Sequence, residues 1–155
     1  MSVRIQKEDF DVGAEAARIA GGARDVGAVV TFAGICRGDG GRLAALELEY
    51  YPGMAEAEIG RIVEEAKARW PLSGVSVIHR YGRLSPGDNI VLVVTASAHR
   101  GDAFAAAEFL MDYLKTRAPF WKKEHLADRE GGWVEAVERD DVAVKRWSTA
   151  AGGRR

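Results

Sequence analysis

The stretch Tyr113-Leu114-Lys115-Thr116-Arg117-Ala118-Pro119-Phe120-Trp121-Lys122-Lys123 carries four basic side chains and no acid. The whole chain has 22 lysines and arginines against 23 acidic residues, so this local excess marks a candidate anion site. Lys115 falls in the last turn of a predicted helix, where an ammonium complements the negative end of the helix dipole. Pro119 redirects the chain, so Lys122 need not continue the helical face. The residue types leave a plainer role open: basic residues often finish helices, and Lys115 could pair with Asp112 three residues earlier.

Ser97-Ala98-His99-Arg100-Gly101-Asp102 places an imidazole and a guanidinium where an apolar strand runs into a helix N-terminus. Free backbone N–H groups there favour a phosphate or carboxylate. Arg100 could clamp phosphate through two bonds, and His99 could donate a hydrogen bond or titrate near neutrality. A structural histidine beside a solvated arginine accounts for the pair as well. Arg37, ending a glycine-flanked strand, is a third candidate phosphate contact. Cys36 beside it has no adjacent base or helix N-terminus to activate a thiol, so it reads as a small, partly buried side chain. His79 alternates with Val75, Val77 and Tyr81 and reads as a packed core histidine, while His125 reads as part of a polar loop. Three scattered histidines offer no ligand-spaced set, so no metal site is expected, and no Walker or dinucleotide glycine motif occurs. The Trp121, Trp133 and Trp147 set fits core or interface.

The elements that must position these groups follow from periodicity. Val3 to Ile5 suits a short strand, and Asp11 to Ala20 a helix ending at Gly21-Gly22. Gly27 to Gly34 is β-rich, and Leu43 to Tyr51 alternates, with Leu46, Leu48 and Tyr50 on one face. Pro52 suits the first turn of a helix to about Trp70, buried through Ile59, Ile62, Val63, Ala66 and Trp70. Val75 to Tyr81 and Asn89 to Ala98 read as two strands joined by Ser85-Pro86-Gly87-Asp88, the second apolar enough for a central strand covered on both faces. Asp102 is a candidate N-cap for a helix carrying Phe104, Ala107, Met111, Leu114 and Ala118 as far as Pro119. Trp133 to Val137 reads as a late strand, and residues 148–155 as a flexible tail. The order is that of one α+β domain over residues 1–147 with a mixed, largely antiparallel sheet and helices packed on it.

Composition narrows the function classes. At 155 residues, with 47% hydrophobic and 29% charged residues, one soluble globular domain is expected. One cysteine excludes an internal disulfide. The longest apolar run, Ile90 to Ala98, is about half of a membrane-spanning helix, and the N-terminus has no apolar signal core. The cytoplasm is the expected compartment, with no membrane partner. A net charge of −1 gives no global attraction to nucleic acid.

Taken in order, Gly27-Ala28-Val29-Val30-Thr31-Phe32-Ala33-Gly34 with Arg37, Leu48-Glu49-Tyr50-Tyr51-Pro52-Gly53-Met54, Ile78-His79-Arg80-Tyr81-Gly82, Ser97-Ala98-His99-Arg100 and Asp112 through Glu124 resemble the large, catalytic subunits of molybdopterin synthase. The likeness runs from about residue 3 to Trp147, and the last motif is the most diagnostic. It implies an α/β hammerhead fold and a sulfurtransferase of molybdenum cofactor biosynthesis. Its reaction inserts two sulfurs into cyclic pyranopterin monophosphate, making the dithiolene of molybdopterin. Sulfur arrives as a thiocarboxylate on the C-terminal glycine of a small ubiquitin-like partner subunit, with no permanently bound cofactor. The resemblance also implies a heterotetramer built on a central homodimer of large subunits.

By motif, Lys115 would meet the partner's thiocarboxylate and Lys122 would orient it and the substrate; these are the two implied catalytic groups. His99 and Arg100 would hold the pterin phosphate region. Ile35, Cys36 and Arg37 would line the same pocket, and Lys123 and Glu124 would flank Lys122. One position departs: relatives can carry a basic residue soon after Trp-Val-Glu, where this chain has Val137, and Arg139 could take its place on the same strand face. The chain has no room for a fused small subunit, and Gly152-Gly153 is followed by Arg154-Arg155. The competing expectations are a non-catalytic module holding an anion or acidic tail, and a sulfurtransferase dependent on Cys36.

Overall fold

A computed structural model describes residues 2–127, 130–134 and 138–148, with side chains described for 2–127 and 142–148. Two four-stranded sheets organise the chain. The first has the order β1-β4-β6-β2, from Ser2–Gln6, Leu72–Arg80, Asn89–Ser97 and Ala28–Ile35. β1 runs parallel to β4, and the other pairs are antiparallel. The second, fully antiparallel, has the order β5-β3-β7-β8, from Gly82–Leu84, Leu43–Tyr50, Phe120–Leu126 and Glu130–Val134. The expected single mixed sheet is thus two sheets. Gly82 is where the chain passes between them, at φ 93°, a conformation that favours glycine.

The first sheet is covered on both faces, as the apolar run of β6 requires. Val75, Val77, Val91 and Val93 pack under α2 (Met54–Arg69) and α3 (Arg100–Thr116) with Ile59, Ile62, Trp70, Phe109 and Leu110. Ile78, Leu92 and Val94 alternate to the other face, against Phe10 and, on α1 (Val12–Ala20), Val12 and Ile19. Asp11 caps α1 by accepting from the Ala14 N–H at 2.9 Å, and Gly21 closes it at φ 63°.

Several boundaries differ from the pattern-based expectation. Pro52 precedes α2, whose N-cap is Gly53; its N–H donates to Glu56 Oε1 at 2.7 Å. The N-cap of α3 is His99, and Asp102 is buried within the first turn. Phe104 leaves the core: with Ala107 and Met111 it borders a groove against Thr31 and Phe32 of β2. Ala44 is bulged out of the β3–β7 ladder, and the buried residues of β3 are Leu43, Ala45 and Leu48. Trp133 and Val134 end β8, while residues 135–137 of the expected strand and most of the expected tail (149–155) lie outside the described residues. A fourth helix, α4 (Glu138–Lys145), follows.

Candidate active site

Lys115 projects from the last turn of α3, which ends at Arg117. The Arg117 guanidinium reaches Glu58 at 2.8 Å and Glu65 at 3.3 Å on α2, and lies 4.9 Å from the Tyr113 ring centre. This ties the helix end to its neighbour. The chain then reverses sharply, the Phe120 N–H donating to the Ala118 carbonyl at 2.9 Å, and β7 begins. Strand alternation puts Phe120 and Lys122 on one face and Trp121 and Lys123 on the other. Lys122 pairs across the ladder with Leu48.

The reversal brings Lys115 and Lys122 to one cavity of about 140 Å³, walled by apolar residues including Phe32, Ile35, Leu46, Leu48, Met111, Leu114 and Phe120. Gly34 keeps it open, since a Cβ there would stand 2.8 Å from Val91 Cγ1. Among the described residues, the ionisable groups in the lining are the two lysines and His79, with no carboxylate. Two lysines against apolar walls raise the affinity for an anion small enough to enter. The Asp112 partnership open to Lys115 is not made: that carboxylate accepts from Arg146 at 2.8 Å and from the Trp147 indole.

His79 packs as expected, its ring stacked on Phe120 with centroids 3.8 Å apart, yet it also lines the cavity. Its Nδ1–H donates to the Arg80 carbonyl at 2.8 Å, which leaves Nε2 as an acceptor. Burial, with Lys122 and Lys115 nearby, pushes its pKa down to about 4, so the imidazole is neutral. Sequence reasoning passed over this residue because it looked like core. The signal was its spacing of two from Val75 and Val77, the face that meets α2 and α3.

The other candidates are dispersed. Ile35 lines the cavity. Cys36 is buried outside that lining, its N–H donating to the Asp88 carbonyl, and burial with Asp88 and Asp39 raises its thiol pKa. Arg37 is exposed beyond it. Lys123 faces away from Lys122 across the strand, and the Glu124 carboxylate lies 3.6 Å from Arg42. His99 and Arg100 are exposed at the start of α3, roughly 22 Å of helix from Lys115. His125 belongs to β7 rather than a loop, and its Nε2 lies 2.8 Å from Glu47. Arg139 falls in the first turn of α4, not on a strand; its side chain, with Val137 and the Trp133 side chain, is outside the described residues. Trp147 packs edge-on to Trp70 and Phe109, whereas Trp121 is exposed beside Tyr51.

No helix among the described residues is long and apolar enough to cross a membrane. The family model described as MoaE protein matches residues 5–117. A molybdopterin synthase catalytic subunit from Mesorhizobium japonicum is 66% identical over 151 residues, covering 97% of this chain and 95% of the relative. Among solved structures, a molybdopterin biosynthesis MoaE protein from Burkholderia ambifaria superposes with a TM-score of 0.81 at 50% identity, covering 94% of this chain and 97% of that one. The molybdopterin synthase structure from Staphylococcus aureus gives 0.77 at 33% identity, over 84% and 95% respectively.

Proposed function

The chain belongs to the MoaE protein family, the catalytic subunits of molybdopterin synthase in molybdenum cofactor biosynthesis, and we propose that the Lys115–Lys122 cavity is where its sulfur transfer occurs. The observation that supports this is a pair of lysines in an apolar cavity with no acid among the described lining residues. Such a site favours an anion small enough to enter it. A thiocarboxylate at the C-terminus of a small ubiquitin-like subunit supplies one, and the phosphate of cyclic pyranopterin monophosphate supplies another.

In this reading Lys115 neutralises charge on the acyl oxygen while Lys122 orients thiocarboxylate and substrate, as preorganised cations do where negative charge develops. Sulfur bonds to a carbon of the pterin side chain as that carbon's bond to oxygen breaks, the oxygen leaving as water or with the phosphate. Water then adds to the acyl carbon, the acyl carbon–sulfur bond breaks, and the partner leaves as a carboxylate. The sulfur donor is the second chain, in keeping with the buried, protonated Cys36 thiol. No permanently bound cofactor is required, and the reaction is placed in the cytoplasm.

His99 and Arg100 cannot reach their own chain's cavity past the length of α3, so they contribute from a second copy. A homodimer supplies it. Support comes from β2, an edge strand whose Phe32 is exposed beside Phe104 of α3 and also lines the cavity, so the apolar edge is continuous with the cavity wall. With one small subunit at each end, the assembly is a heterotetramer. Mixing the chain, the thiocarboxylated partner and cyclic pyranopterin monophosphate yields molybdopterin on this reading; a folded assembly that makes none overturns it.

A further inference from the structure

A peptide tail entering the cavity brings more than its terminal anion. Two covalent bonds back from the acyl carbon stands the backbone N–H of the tail's last residue, a donor that loses water on entry and must find an acceptor. The lysines can only donate. Among the described side chains lining the cavity, the one nitrogen or oxygen acceptor is Nε2 of His79, the others being the two lysines and apolar groups.

The imidazole is built for that role. Nδ1–H is committed to the Arg80 carbonyl at 2.8 Å, so the ring's remaining lone pair sits on Nε2. The Arg80 backbone is itself held, its guanidinium donating to the Lys7 carbonyl at 2.9 Å and the Asn89 carbonyl at 3.0 Å. Stacking on Phe120 at 3.8 Å fixes the ring plane. No buried side-chain nitrogen or oxygen among the described residues lacks a partner, and none of the described groups is bonded to Nε2, so this atom is accessible in the cavity that the ring lines. A neutral acceptor also suits its surroundings: a carboxylate here would compete with the anion for the lysines.

We propose that Nε2 of His79 accepts the backbone N–H of the partner's C-terminal residue, registering the tail so that its acyl carbon lies between the two lysines. The proposal rests on the sulfur-transfer reading above and adds a tail-recognition residue to it. The test is a double-mutant cycle on binding, measured by calorimetry with the small subunit in its C-terminal carboxylate form. One version carries the natural terminal amide, and a semisynthetic version carries an ester at that bond, which deletes the N–H. Wild-type protein is expected to bind the ester about tenfold more weakly. His79→Phe, which keeps a stacked ring, should bind both forms equally, and His79→Gln, whose amide oxygen reaches toward the Nε2 position, should recover the preference.

Thermal unfolding of each variant separates folding from recognition, and if His79→Phe does not fold, the Gln variant and the imidazole ¹⁵N spectrum carry the test. Partner addition to wild-type protein should move the Nε2 resonance while Nδ1 stays protonated. An ester penalty of the same size in wild type and His79→Phe, or an Nε2 resonance that ignores the amide partner, overturns the inference. Absence of binding by either partner form would instead defeat the sulfur-transfer reading.

Discussion

Strand β4 serves two charged regions that differ in one respect. On its α1 face, Ser76 donates to Glu15 at 2.6 Å, and the same buried carboxylate is paired with Arg4 at 2.7 Å and with Arg18. On its other face, His79 lines the cavity that holds Lys115 and Lys122, with no carboxylate among the described lining residues. Glu15 has its counter-charges within the chain, and its pKa falls to about 2, chiefly through the Arg18 hydrogen bond. The two lysines instead meet at an open cavity. A buried charge enclosed by its counter-charges holds the fold together, whereas like charges gathered at a cavity favour an anionic ligand.

The contrast is broken most severely at the lysines. Lys115→Ala and Lys122→Ala should each lower molybdopterin formation by at least about a hundredfold, a loss of roughly 2.7 kcal/mol of transition-state stabilisation. The melting temperature of Lys115→Ala should hold or rise slightly, because removing one of two like charges relieves repulsion. Normal turnover in both variants would remove the roles assigned to them.

Glu15→Ala should do the reverse, costing on the order of 2–3 kcal/mol of stability, since it strands the charges gathered around it, while leaving turnover of the folded protein near wild type. Acid titration distinguishes the two regions again. Glu15 has a folded pKa below its ordinary value of 4.5, so its contribution is present above pH 4.5 and is lost as pH falls toward 2. His79 has a folded pKa of about 4 against an ordinary value of 6.5; the unfolded chain takes up the proton first, so stability falls as pH drops from about 6.5 to 4. In denaturant melts across pH, His79→Gln should flatten the upper window and Glu15→Gln the lower one. Unchanged slopes in both would end the distinction.

Arg117 tests how the lysines are brought together. Its guanidinium is about a third exposed, so its pairs with Glu58 and Glu65 are worth less than a buried bridge. Arg117→Leu should cost about 1 kcal/mol of stability and reduce turnover several-fold by loosening the reversal, with Arg117→Lys intermediate. A stability loss with no kinetic effect would make Arg117 purely structural.

Much of this was legible in the chain, because helices α2 and α3 and strand β6 are long and strongly periodic. Lys115 and Lys122 were singled out by local charge excess, which survives any error in boundaries. The division into two sheets was not legible, since β5 is only Gly82–Leu84 and β7, Phe-Trp-Lys-Lys-Glu-His-Leu, has too polar a centre to look like a strand. Its pairing with β3 overrides that composition. His79 escaped for a related reason: a strand face says which residues point inward, but the cavity arises only when β7 closes over that face from distant sequence.

Cys36 sharpens the comparison with the smallest expected effect. It is the chain's one cysteine, beside Arg37 and next to Ile35 of the cavity wall, so position alone would make it a rival sulfur carrier. Its surroundings oppose that chemistry. Burial disfavours the thiolate first, and the carboxylates of Asp88 and Asp39 raise the thiol pKa further. The neighbouring charge is therefore negative where a nucleophilic sulfur needs positive, the opposite of the lysine cavity a few residues away in the fold. Cys36→Ser should keep turnover within about twofold and lose about 1 kcal/mol of stability for the buried hydroxyl. A tenfold fall in rate in a folded Cys36→Ser protein would place sulfur on this chain and break the division between a chain that supplies cations and a partner that supplies sulfur.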